Sequence, residues 1–134
     1  MLSTFPQHWV PANDTRVLMA LMVAAALEEV VFRAGLHETL LRLQPGTRLH
    51  AIFGANLPAR SVSHANLWIA ALFALSHALS RSLWLGLGSF PAAVLLGAVY
   101  ERFRRVSICI AVHMALNLIW FFALARFAPQ MMLV

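Results

Sequence analysis

The sequence has no lysine, a single cysteine and few charges of either sign. One cysteine, Cys109, excludes an intrachain disulfide and leaves the redox compartment open. Charged residues fill only 11% of the 134 positions, whereas a soluble domain carries roughly 25%. Too few polar groups are present to cover a core in water. There is no internal repeat, no low-complexity stretch and no H-E-x-x-H zinc signature. What the chain does have is apolar surface: 61% of its residues are hydrophobic and its mean hydropathy is +0.76. Lipid is the solvent that suits this composition, and the length implies one domain, 1–134.

The basic residues are all arginine, and they outnumber the five acids Asp14, Glu28, Glu29, Glu38 and Glu101 to give a formal net charge of +5. This excess does not point to nucleic acid. The arginines punctuate apolar spans and form no stripe along a soluble face. The positive-inside rule explains them better. Arg42, Arg48 and Arg60 gather at one connection and Arg102, Arg104 and Arg105 at another, whereas the opposite side holds Arg16, Arg81 and Arg126. The bias predicts that both termini face away from the cytoplasm.

Hydrophobic patterning predicts about four membrane helices: Thr15–Leu43, His64–Leu79, Leu83–Tyr100 and Val106–Phe127. The run Gln44-Pro45-Gly46 stops the first. Residues 44–63 read as a loop with a short interfacial helix near Leu49–Phe53. Ser80–Ser82 read as a tight turn, and Glu101–Arg105 end the third span. Ala24-Ala25-Ala26 has the small residues of a signal cleavage site, but the apolar run continues past it, so the segment reads as a span. Trp9, Trp68, Trp84 and Tyr100 lie near span ends and read as interfacial anchors, and Trp120 reads as packing. Gly86, Gly88 and Gly97 read as points of close helix contact. His8, His37, His50 and His64 lie in or near loops and are expected to be solvated.

The chemistry lies in the polar residues that fall inside the spans. An ionisable group in a membrane helix costs several kcal/mol, so it points to a functional site. Glu29 and Arg33, four residues apart, share a helix face and can pair. Glu28 points about 100° away and lacks that partner. Glu28 therefore suits chemistry, and Glu29 with Arg33 suits structure. His77 lies within the second span, with Phe73 one turn earlier to pack on its ring. His113 and Asn117 share a face of the fourth span, and both can donate to one developing oxyanion. Glu28 and His77 together can hold a water and take its proton.

These residues fall into three ordered motifs. Glu28-Glu29-Val30-Val31-Phe32-Arg33 is E-E-x-x-x-R, Phe73-Ala74-Leu75-Ser76-His77 is F-x-x-x-H, and His113-Met114-Ala115-Leu116-Asn117 is H-x-x-x-N. On successive apolar spans, over residues 15–127, they resemble the CPBP intramembrane proteases, also called the CAAX-protease and bacteriocin-processing (Abi) family. Phe90-Pro91 to Gly97 is similar to that family's glycine-bearing third helix. Ala34 stands where the family usually has a glycine, and Gly35 follows it. The resemblance implies an all-α membrane bundle around a polar cavity and a glutamic-type intramembrane protease. In that scheme Glu28 and His77 activate water, His113 and Asn117 form the oxyanion hole, and Glu29, Arg33 and Phe73 support them. No metal or cofactor is implied. The implied substrate is a membrane-anchored protein or peptide. Short bacterial members that trim C-terminal sorting anchors offer the nearer analogy, which implies the bacterial inner (plasma) membrane.

Other readings of the same residues remain open. Glu28 and Glu29 can belong to a buried ion-pair lock, His77 can be a packing histidine, and His113 with Asn117 can be interhelical hydrogen-bond glue. Glu28, His77 and His113 also have the types of a two-His, one-carboxylate zinc site. A non-catalytic immunity or partner-binding membrane protein would need the same bundle. A proton or solute transporter fits poorly with four spans that lack inverted symmetry.

Overall fold

The computed structural model describes residues 15–43 and 62–127, with side chains from 16 to 43 and from 62 to 123. The described chain is all helical. α1 (Thr15–Glu29) runs directly into a π-helical stretch (Val30–His37) and on into α2 (Glu38–Leu43). Further along the chain come α3 (His64–Ser80), α4 (Leu83–Phe103) and α5 (Val106–Phe127). These elements match the four predicted spans. The predicted interfacial helix near Leu49–Phe53, His8, His50 and Trp9 lie outside the described residues. α4 and the Val106–Ala123 part of α5 are each long and apolar enough to cross a bilayer.

Local chemistry sets the ends. The hydroxyl of Ser63 accepts the N–H of Asn66 at 3.0 Å and caps α3. That of Ser82 accepts the N–H of Leu85 at 3.3 Å and caps α4. α4 stops where Arg104 takes the left-handed conformation, φ 53°, with its N–H on the Tyr100 carbonyl at 2.7 Å. The chain reverses there into α5.

Polar side chains are buried beside an apolar core, and many large apolar side chains face outward. Glu29, Arg33, His37 and Asn66 are completely buried, while Met19, Leu27, Trp68, Leu79 and Trp84 are exposed. In lipid this arrangement is the stable one: apolar side chains cost nothing outside, and polar ones must find partners within. Trp68 and Trp84 face outward as anchors should. Two aromatic expectations fail. Tyr100 is buried and donates its hydroxyl to Glu38 Oε2 at 2.9 Å. Trp120 is exposed and covers the outer face of α5.

α3 and α4 form the most extensive helix pair, followed by α1 and α5. A Cβ on Gly86 would lie 2.6 Å from Ala78 Cβ and 2.7 Å from the Ala74 carbonyl oxygen. One on Gly97 would lie 1.8 Å from Asn66 Oδ1. Both glycines are close contacts, as predicted. Gly88 is not, because nothing lies within 4 Å of a Cβ placed there. Ala70, Phe73 and Ala93 pack with Phe32 and Val94 into one core cluster. Leu96, Tyr100 and Cys109 form another.

Candidate active site

The first helix brings two adjacent carboxylates to the centre of the bundle, and the backbone gives them different surroundings. Glu29 closes α1 just before the π-helical stretch. Such wide turns are rare and gather at functional sites. Glu29, Arg33 and His37 follow at four-residue spacing on the buried side. Glu28 turns elsewhere and remains 27% exposed at its side chain.

Glu29 is fully engaged. Its Oε2 accepts Arg33 Nε at 3.2 Å, and its Oε1 lies 2.9 Å from His113 Nδ1. Arg33 also donates NH2 to the Ala93 carbonyl at 2.9 Å. These contacts match the structural pairing expected of the two residues and add His113 to it.

Glu28 is different. Its Oε1 lies 3.9 Å from His77 Nε2 and its Oε2 lies 3.6 Å from His113 Nε2. Both separations exceed hydrogen-bond length, and both leave scope for a bridging water. Three helices thus meet: α1 brings Glu28, α3 brings His77 and α5 brings His113. Asn117, one turn beyond His113 on α5, is half-buried. Its amide makes no side-chain hydrogen bond among the described residues, in contrast to the close approach of the other three.

The histidine tautomers follow from the partners. His77 Nδ1 lies 3.0 Å from the Phe73 carbonyl. A carbonyl only accepts, so Nδ1 carries the proton and Nε2 of the neutral ring presents a lone pair to Glu28. His113 Nδ1 faces the Glu29 carboxylate, so it too is the donor, and its Nε2 is the atom left to face Glu28. The Glu28 carboxylate therefore has an imidazole nitrogen near each of its oxygens. Acceptors so placed can interact only by sharing protons, which a water or an ionised imidazole supplies.

Phe73 contacts both histidines. Its ring stacks on His77 at 4.4 Å between centroids and meets His113 edge-on at 5.8 Å. Phe32, from the first helix, packs against it at 5.0 Å. Among the described residues no set of three His, Cys, Asp or Glu side chains is placed to hold a metal ion.

A second polar cluster escaped the sequence reading. His37 is not solvated: it is completely buried, with Nε2 3.0 Å from Glu101 Oε1 and Nδ1 3.5 Å from Arg33 NH1. Ser63 donates its hydroxyl to the same Glu101 oxygen. Asn66 donates Nδ2 to the Val94 carbonyl at 3.0 Å. One signal was available, since His37 stands one further step of four beyond Glu29 and Arg33. Glu101 had a weaker one, as the lone acid beside three arginines.

Comparison with known proteins gives a family match. The family described as type II CAAX prenyl endopeptidase Rce1-like matches residues 15–119, which include every candidate residue named above. No curated protein and no solved structure matches the chain.

Proposed function

The chain belongs to the Rce1-like family of type II CAAX prenyl endopeptidases, proteases embedded in the membrane, and we propose that Glu28 and His77 activate a water that hydrolyses a peptide bond in a membrane-associated substrate. The observation that carries the proposal is the pair of contacts at Glu28: imidazole Nε2 atoms from two other helices at 3.9 and 3.6 Å.

A water held between Glu28 and His77 gives a proton to this pair as its oxygen bonds to the scissile carbonyl carbon. The carbonyl oxygen becomes an oxyanion. His113 Nε2–H, in the imidazolium form, and the Asn117 amide donate to it. The imidazolium form is needed because Glu29 holds the first proton on Nδ1. When the tetrahedral intermediate collapses, the C–N bond breaks and the proton taken from water passes to the leaving amine. Glu29 orients His113, Arg33 neutralises Glu29, and Phe73 holds both imidazoles. No step requires a metal or a cofactor.

The substrate class is a membrane-anchored protein or peptide, with a C-terminal sorting anchor as a candidate. The bacterial inner membrane is the proposed location. The test is cleavage by the full chain in liposomes of two probes: an internally quenched prenylated CAAX peptide and a single-span reporter with a C-terminal anchor. Wild type cleaves at least one, and Glu28→Gln, folded, cleaves neither. Cleavage of neither probe by wild type, or wild-type rates with Glu28→Gln, overturns the proposal. The first result would favour a non-catalytic partner-binding role.

A further inference from the structure

Arg33 is held by more than its partner carboxylate. Arginine has donors only. His37 Nδ1, 3.5 Å from Arg33 NH1, must therefore present its lone pair. The ring proton is then on Nε2, which donates to Glu101 Oε1 at 3.0 Å. That oxygen also takes the Ser63 hydroxyl, and Ser63 caps α3. His37 is completely buried, whereas Glu101 is 21% exposed at the end of α4. The tautomer of His37 is thus set from both sides.

The guanidinium is planar, so fixing two of its nitrogens fixes the direction of the third. NH2 is held by the Ala93 carbonyl and NH1 faces His37. Nε is thereby aimed at Glu29 Oε2. Glu29 Oε1 in turn takes Nδ1–H of His113. The contacts form a line from Glu101, near the arginine-rich turn, to the imidazole that faces Glu28.

We infer that His37 and Glu101 are positioning residues for the hydrolytic site: through Arg33 and Glu29 they fix the orientation of His113. The inference rests on the proposed roles of Glu28, His77 and His113. A purely structural tie would change how much protein folds and leave turnover per folded molecule unaltered. A positioning role lowers kcat in folded protein, because a small misplacement at a catalytic group costs up to roughly 100-fold, and it leaves KM unchanged.

Glutamine separates the two. At position 37 its carbonyl can accept from Arg33 and its amide N–H can donate to Glu101, which reproduces both contacts. Leucine reproduces neither. At position 101 glutamine still offers an oxygen to His37 and Ser63, and leucine does not. The experiment compares His37→Gln, His37→Leu, Glu101→Gln and Glu101→Leu with wild type and Glu28→Gln. Each is the full chain in liposomes, assayed for kcat and KM on whichever of the two probes wild type cleaves. The expected result is a kcat roughly 10- to 100-fold lower in each folded leucine variant at unchanged KM. The glutamine variants should stay within a few-fold of wild type. Wild-type kcat in folded His37→Leu and Glu101→Leu overturns the inference. So do glutamine variants no better than leucine, or leucine variants that never fold while glutamine variants turn over normally. An active Glu28→Gln instead overturns the site assignment itself, and is read separately.

Discussion

His113 Nδ1 and Glu29 Oε1 lie 2.9 Å apart across a sequence separation of 84 residues. A fully buried carboxylate here sets which ring nitrogen of a histidine carries the proton and which faces the neighbouring acid, Glu28. Ser-His-Asp hydrolases use a buried carboxylate for the same purpose. In the proposed mechanism these adjacent residues divide the work: Glu29 orients, and Glu28 reacts.

Glu29→Gln should therefore destabilise the protein. The amide cannot neutralise Arg33, and a buried charge stripped of its partner costs about 3–5 kcal/mol. Glu28→Gln removes no hydrogen bond of normal length and should unfold within about 1 kcal/mol of wild type, as substitutions away from buried networks do. Thermal unfolding in detergent measures both. Equal midpoints for Glu29→Gln and wild type would remove Glu29 from its structural role.

The three glycines of α4 should respond differently to alanine. Gly97→Ala drives a methyl into the buried Asn66 amide, and Gly86→Ala drives one into Ala78 and the α3 backbone. Each should cost about 1–3 kcal/mol, the usual penalty of overpacking. Gly88→Ala meets nothing within 4 Å and should be neutral or slightly stabilising, since alanine is the better helix former. The three unfolding midpoints decide the order. A loss at Gly88 as large as that at Gly97 would contradict the helix packing.

Membrane orientation is testable with thiols. Arginine counting puts Ser80 outside and Ser107 on the cytoplasmic side. Both positions are exposed, and the native Cys109 is buried. In a Cys109→Ser background, an impermeant thiol reagent added from outside should block Ser80→Cys and spare Ser107→Cys. Labelling of Ser107→Cys alone would invert the topology.

Much of this architecture was legible in the sequence because it depends on local pattern. Span ends at Ser80–Ser82 and at Arg104–Arg105 carry their own caps and turn residues, and the structure breaks the helices there. The Glu29–Arg33 pair follows from four-residue spacing alone. What stayed hidden depends on contacts distant in sequence. His37 reads as solvated until α4 folds back to bring Glu101 against it, 64 residues away. Tyr100 reads as an anchor until Glu38 takes its hydroxyl. The π-helical stretch from Val30 to His37 has no residue signature. Trp120 shows the converse limit, since an aromatic inside an apolar span gives no periodic sign of whether it faces protein or lipid.

The central claim is that Glu28 activates water and does not itself attack the substrate. The direct test is a single turnover in water labelled with heavy oxygen, followed by mass spectrometry of the product and of the enzyme peptide that contains Glu28. Activation of water predicts one heavy oxygen in the new product carboxylate and none in Glu28. Label in the Glu28 side chain, with an unlabelled product carboxylate, would show attack by Glu28 through an anhydride and contradict the account.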